Sequence, residues 1–212
     1  KIDWPNSIKE IQKNWIGKST GASIFFKIDE KESTSIEVYT TRPDTIFGVT
    51  FLVLSPEHPI IEEFIESKHV SAYVKECKQK TEIERKKSKL ITGVFSDMYA
   101  LHPITNKKIP IWISDYVLID YGTGAIMAVP CGDQRDWLFA NKFDLEIKNI
   151  FEGVDISKSS HEEKEIILKD SDFVNGLSSI EASQKIVSFL ESKKLGFSRI
   201  NFKQRDAIFS RQ

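Results

Sequence analysis

The spacing of apolar and polar residues changes several times along this chain, and each change marks an element. From Ser7 to Trp15, Ile8, Ile11 and Trp15 share one helical face, Ser7 and Glu10 have capping-box spacing, and Gly17 supplies a stop. Residues 22–28 and 35–41 are rich in β-formers and are separated by Asp29-Glu30-Lys31-Glu32, which predicts a hairpin. Pro43 forbids a helix through the next loop and favours extended backbone at Arg42. Val49 to Leu54 is an apolar run short enough for a buried strand. Helical spacing returns after Pro56, with Ile60, Ile61, Phe64 and Ile65 on a core face. It recurs from Val70 to Lys87, where the outside is strongly charged. Residues 91–100 and 109–119 read as strands, joined through His102-Pro103 and an Asn106-Lys107 turn.

The stretch from Tyr121 to Asp136 organises the middle of the chain. Gly122-Thr123-Gly124 can take positive φ and let the backbone approach a ligand closely. A short apolar strand, Ala125 to Val129, ends at Pro130, which cannot donate to a sheet ladder. A helix is predicted from Asp133 to Phe143, with Asp133 as its N-cap and acidic groups favoured in its first turn. A short strand, Leu145 to Ile150, precedes a polar, serine-containing surface excursion from Glu152 to Asp172. Ser179 to Lys194 is a helix with Ile180, Ile186, Val187 and Leu190 on its apolar side and Gly196 as its stop, and residues 198–209 are extended. Strands and helices mix without regular βαβ alternation. The expected class is therefore mixed α+β, with a curved, barrel-like sheet and flanking helices.

Composition narrows the picture. A chain of 212 residues, 40% apolar and 29% charged, has the make-up of a soluble globular protein of one large domain, or a domain with a subdomain. No apolar run is long enough to span a bilayer, so no membrane association is expected. The amphipathic, acid-containing N-terminus is not a signal peptide, and cytosolic is the default location. The net charge of −1 gives no footprint for extended nucleic-acid binding, so such a partner must be held locally or by another part of a larger protein. The run Arg85-Lys86-Lys87-Ser88-Lys89 reads as a solvated face.

Most catalytic signatures are missing. Cys77 and Cys131 supply neither a disulfide framework nor metal-ligand spacing, and Cys131 reads as a small packing residue. His58, His69, His102 and His161 fall in no metal-ligand pattern, so structural or exposed roles are expected and no metal or cofactor is implied. There is no G-x-S-x-G elbow, and Gly122-Thr123-Gly124 lacks the third glycine of a dinucleotide fingerprint. Two clusters remain, each where an apolar strand ends: Thr40-Thr41-Arg42-Pro43-Asp44-Thr45, and Asp133 with Arg135 and Asp136. Hydroxyls, carboxylates and arginine suit recognition of a cation and positioning of water at an ester. At this point the acids of the second cluster are equally readable as helix caps.

The two clusters, with Gly122-Thr123-Gly124-Ala125-Ile126-Met127-Ala128-Val129-Pro130 ahead of Asp133-Gln134-Arg135-Asp136, resemble the editing domain of bacterial-type leucyl-tRNA synthetase. The resemblance covers essentially the whole chain and implies a single domain over residues 1–212. Residues 1–20, containing Trp15-Ile16-Gly17-Lys18-Ser19, resemble the lead-in from the synthetase core. Residues 198–212, containing Phe202-Lys203-Gln204-Arg205-Asp206 and Ser210-Arg211-Gln212, resemble the return to it. HIGH and KMSKS signatures are absent, which agrees with an excised domain unable to activate an amino acid. The family's activity is hydrolysis of the ester joining a wrong amino acid (isoleucine, valine, methionine or norvaline) to tRNA(Leu). Such a second site is needed because a hydrophobic synthesis pocket separates substrates differing by one methylene by only about 1–3 kcal/mol.

Matched position by position, the resemblance implies Thr40, Thr41 and Asp136 as catalytic residues. Thr40 and Thr41 orient water and ester, and Asp136 binds the α-ammonium. Thr45 is the wall that excludes leucine, and Arg42, with Asp44 beside it, sits by the terminal adenosine. Met127 and Val129 shape the pocket, while Tyr121, Asp133 and Arg135 help hold the tRNA end. The implied partners are the aminoacylated 3′-terminal adenosine of tRNA(Leu) and the rest of the synthetase, in a monomeric enzyme. No general base is evident, which fits assistance to the water by a free ribose hydroxyl and fixed donors for the oxyanion. The family usually carries histidine where this chain has Gly132. A catalytically idle tRNA-end binding module is therefore the alternative, and a free-standing esterase is a third reading.

Overall fold

The computed structural model describes residues 3–29, 31–63, 67–88, 90–120, 122–163 and 165–204. After helix α1 (Asn6–Trp15), the chain passes straight into β1 (Ile16–Ile28). Gly17 therefore lies in a strand and stops nothing. The cap of α1 is Pro5, without a side-chain hydrogen bond, so the expected Ser7–Glu10 box does not form, and no residue of α1 is buried.

Strand β1 is long enough to serve three neighbours. Its first half pairs antiparallel with β7 (Gly196–Gln204), its second half with β2 (Lys31–Thr40), and its last two residues with β4 (Val94–Leu101). The predicted hairpin is thus present. From β4 the sheet continues through β5 (Lys108–Ile113) and β3 (Phe51–Leu54) to β6 (Ala125–Ala128). Among the described residues only the β3–β5 pair is parallel, so the sheet is mixed. Its ends, β2 and β6, approach one another, and the Thr123 hydroxyl donates to the Glu37 carbonyl at 2.6 Å. No ladder joins them among the described residues. The sheet is curved but open, and the barrel-like expectation is corrected to that extent.

Gly122 and Gly124 do take positive φ, 66° and 73°. That geometry turns the chain into β6 and presents Thr123 to β2; neither glycine lines the cavity described below.

Strand β3 explains why its sequence does not alternate. Leu52 and Leu54 join the main core with Ile24, Phe26, Ile111 and Ile113, while Phe51 and Val53 face a second cluster under helix α4 (Gln134–Lys142). With both faces covered, every position must be apolar. On α4, Phe139 stacks on Phe51 at 5.4 Å between ring centres and meets Trp112 and Tyr116 edge-on or tilted.

Several boundaries move. The helix expected over Val70–Lys87 is two, α2 (Lys68–Cys77) and α3 (Glu82–Lys87), because Thr81 and Glu84 form a capping box that starts a new helix. The stretch after Pro56 makes only a 3-10 helix, Pro59–Glu63, and Phe64 and Ile65 lie outside the described residues. Residues 114–118 form a turn, not the end of a strand. Leu145 to Ile150 joins no ladder; an isolated bridge, Phe151 to Leu168, follows it. The stretch expected as a surface excursion, Glu152–Asp172, buries Leu168 in the core beside Phe151, which precedes it. Helix α5 (Ser179–Ser192) is capped by Ser178 and buries Ala182, Ile186 and Leu190, while Ile180 is exposed. Lys194, at φ 57°, supplies the left-handed residue that ends it, and Gly196 begins β7. Residues 205–212, part of the expected terminal extension, lie outside the described residues. No helix among the described residues is long and apolar enough to cross a membrane.

Candidate functional site

A cavity of about 390 Å³ opens where β2 and β6 end side by side. From β2 and the loop after it come Tyr39, Thr40, Thr41, Arg42 and Thr45; from β6 and its continuation come Ile126, Met127, Val129 and Gly132. Helix α4 and its cap supply Asp133, Arg135 and Asp136, and the turn after β5 supplies Tyr116, Val117 and Leu118. Both sequence clusters therefore meet at one site. Of the residues named from sequence, Asp44 is not on the wall, and Tyr121 lies outside the described residues.

The first cluster is fixed by its own hydrogen bonds. Gly21 allows it to sit against β1: a Cβ there would come within 2.0 Å of the Thr40 carbonyl oxygen. The Arg42 N–H donates to Thr40 Oγ1 at 3.0 Å, which orients that hydroxyl and leaves its proton available to a ligand. Contrary to the expectation from sequence, Pro43 does not forbid a helix here but begins a 3-10 helix, Pro43–Gly48, because proline at the first position is preorganised, and Arg42 before it (φ −124°, ψ 61°) is not extended. Thr45 donates its hydroxyl to the Arg42 carbonyl at 2.8 Å and is 3% exposed, so it presents a pinned wall and no free proton. Asp44, 1% exposed, is consumed by structure. It accepts from Arg42 Nε and Nη2, the latter at 2.8 Å, and from the Ser183 hydroxyl of α5 at 3.2 Å. Its place is behind Arg42, aiming the guanidinium, and not on a ligand.

The second cluster splits the two acids. Asp133 caps α4, accepting from the N–H groups of Arg135 at 2.8 Å and Asp136 at 3.1 Å. Asp136 caps nothing. With Phe139 and Ala140 it falls on the buried face of α4, where spacing calls for an apolar residue. It is 4% exposed, and its two carboxylate oxygens accept from the Tyr116 hydroxyl at 3.0 Å and the Val129 N–H at 2.8 Å. Burial pushes its carboxyl up to about 7, helped by the Asp133 charge and opposed by those two donors and by Arg135. The Arg135 guanidinium lies 5.6 Å from the Tyr116 ring centre, within cation–π range.

Gly132 lines the cavity, and a Cβ there would meet the Phe151 ring at 3.3 Å. A larger residue needs Phe151 to yield slightly. Cys131 is buried and its thiol is pushed up by burial to about 11, which agrees with packing and not with a nucleophile. His102 is buried with Nε2 2.9 Å from the Ile46 carbonyl oxygen, so it is structural. A second, shallower hollow of about 690 Å³ beside the start of α5 contains His161 but none of the site residues expected from the sequence.

Tyr116 and Arg85 escaped the sequence reading. Tyr116 lies within the strand expected over 109–119, although Ser114-Asp115 after the apolar Ile109–Ile113 is a turn signal. Arg85 is 6% exposed, not solvated. Its guanidinium donates to the carbonyls of Asp115 at 2.8 Å and Val117 at 2.7 Å and pairs with Glu57 at 2.7 Å. Nothing in a run of basic residues distinguishes the one that turns inward.

The chain matches the family described as leucyl-tRNA synthetase, editing domain, over residues 13–191. It is 50% identical to the leucine--tRNA ligase of Azobacteroides pseudotrichonymphae, 51% to that of Christiangramia forsetii and 49% to that of Bdellovibrio bacteriovorus. In each case all of this chain aligns, spanning 23%, 22% and 26% of the relative's length. Its fold resembles part of the Agrobacterium radiobacter K84 agnB2 LeuRS-tRNA-LeuAMS ternary complex, with a TM-score of 0.77 and 29% identity, covering 95% of this chain and 22% of that one. With the ordered pair of clusters converging on one cavity, these likenesses establish that the chain belongs to the leucyl-tRNA synthetase editing-domain family.

Proposed function

We propose that this cavity hydrolyses the ester between a wrong amino acid and the 3′-terminal adenosine of tRNA(Leu), as the editing site of a longer ligase. The observation that carries the reading is Asp136, a carboxylate buried on the core face of α4 that also lines the cavity. A site that accepts several side chains has one constant handle, the α-ammonium. A cation brought to Asp136 favours the ionised form that burial opposes, and the resulting charge-assisted bond is roughly twice as strong as a neutral one.

The other residues divide the remaining work. Thr45, pinned through Arg42, is the rigid wall that separates leucine from isoleucine by branch position, where size alone cannot. Thr40, its hydroxyl oriented by the Arg42 N–H, and the exposed Thr41 hold the attacking water and the ester oxygen. Arg42, steadied by Asp44, faces the terminal adenosine with the one guanidinium nitrogen that Asp44 leaves free. Met127 and Val129 shape the pocket, and Arg135 and Asp133 lie at its rim. The free ribose hydroxyl of the adenosine assists the water, while the threonine donors stabilise the oxyanion.

The test is deacylation by the full-length ligase carrying this chain. Isoleucyl- and valyl-tRNA(Leu) should be hydrolysed and leucyl-tRNA(Leu) spared, with no loss on chelation, because no metal is assigned a role. Replacing Thr45 by alanine should admit leucine and expose leucyl-tRNA(Leu) to hydrolysis. Absence of hydrolysis of both misacylated species overturns the proposal.

A further inference from the structure

The geometry points to Tyr116 as a positioning residue of this site: its hydroxyl aims the Asp136 carboxylate into the cavity. This rests on the reading of Asp136 as the ammonium anchor. The carboxylate is held at two points, one oxygen by the Val129 N–H at the end of β6 and the other by the Tyr116 hydroxyl. The first is main chain and independent of side-chain identity. The second is the only side-chain donor to Asp136 among the described residues, so it is where sequence sets the rotation of the carboxylate about its last bond.

Tyr116 lines the cavity and is itself held from several directions. Its ring packs against Phe139, with centres 5.7 Å apart, and lies under the Arg135 guanidinium. The turn that carries it is clamped on both flanks, because Arg85 donates to the carbonyls of Asp115 and Val117. Asp115 is in turn bound by Lys80 and the Thr92 hydroxyl, and its N–H donates to the Tyr73 hydroxyl. A donor this constrained resists rotation of its acceptor. Burial and the neighbouring acids hold the Tyr116 hydroxyl protonated far above neutral pH, so it remains a donor wherever the enzyme works.

The hydroxyl favours the charged form of Asp136, as do the Val129 N–H and Arg135, while burial and Asp133 oppose it. Among the described residues, Arg42, on the cavity wall from the first cluster, is the remaining charged group facing the site. Removing the hydroxyl alone should therefore raise the pH at which Asp136 becomes an anchor.

The experiment compares the full-length ligase carrying this chain with its Tyr116→Phe variant, measuring kcat/KM for hydrolysis of isoleucyl-tRNA(Leu) from pH 6 to pH 9. Phenylalanine keeps the packing on Phe139. The acidic limb should move up by about one pH unit, the scale of one hydrogen bond to a charged group. The loss should thus be near tenfold at the acidic end and shrink toward pH 9. An unmoved limb, or a loss equal at every pH as simple destabilisation produces, overturns the assignment while leaving the wild-type activity as support for the editing reading. Absence of hydrolysis by the wild type overturns that reading and, with it, the role given to Tyr116.

Discussion

Replacing Asp136 by asparagine makes a pH-dependent prediction about stability that needs no tRNA. The carboxyl rises from 3.8 to about 7 on folding, chiefly through burial. A group whose folded pKa is raised contributes stability that is fully present below the unfolded pKa and is lost as pH rises through the folded one. Between pH 5 and pH 7 the folded chain keeps this proton and the unfolded chain has lost it. Each pH unit then costs about 1.4 kcal/mol, or on the order of 3 kcal/mol by pH 8. Asparagine does not titrate, and it retains an acceptor for the Val129 N–H and an amide for the Tyr116 oxygen. Urea unfolding of both proteins at pH 5, 6, 7 and 8 gives the difference in stability, from which the other titrating groups cancel. Wild type relative to Asp136→Asn should weaken steadily across that range. A difference that stays flat shows that Asp136 is ionised throughout, and the claim that burial dominates its two donors and Arg135 is then wrong.

Two further substitutions separate roles that sequence left merged. Asp133→Ala removes the acceptor for two N–H groups at the start of α4 and should lower stability by about 1 kcal/mol. Its effect on isoleucyl-tRNA(Leu) hydrolysis should be far smaller than that of Asp136→Ala, and equal effects in side-by-side deacylation and melting measurements refute the division. Arg85→Ala leaves two backbone carbonyls without their donor and half-buried Glu57 with only the Ser55 hydroxyl, and should cost about 2–3 kcal/mol in chemical unfolding. A cost below 1 kcal/mol means that the solvated reading of the basic run was correct.

The elements that reveal themselves in sequence are those whose local pattern and tertiary setting agree. The β1–β2 hairpin, β3, β6 and α4 with Asp133 as its cap all follow from apolar runs punctuated by turn or capping residues. The meeting of Thr40–Thr45 with Asp136 was legible only through the family resemblance, because it depends on β2 and β6 approaching from opposite ends of the sheet order. What escaped was decided by contacts distant in sequence. Arg85 is buried because the turn at Asp115–Val117 offers it two carbonyls. Asp44 turns from the cavity to the Arg42 guanidinium, and Ser183, 139 residues away, completes its shell. The segment 145–150 packs without pairing, so β-like composition there found no ladder. Asp136 carried a readable signal: an acid on a helix face shared with Phe139 and Ala140 must be paired, protonated or waiting for a cation.

The most direct measurement is a crystal structure of this chain with a non-hydrolysable isoleucyl-adenosine analogue. The α-ammonium nitrogen should lie within about 2.7–2.9 Å of an Asp136 oxygen, with the branched side chain against Thr45, the adenosine beside Arg42, and the ester mimic near Thr40. An analogue bound with its ammonium away from Asp136, or seated in the hollow beside α5, contradicts this arrangement.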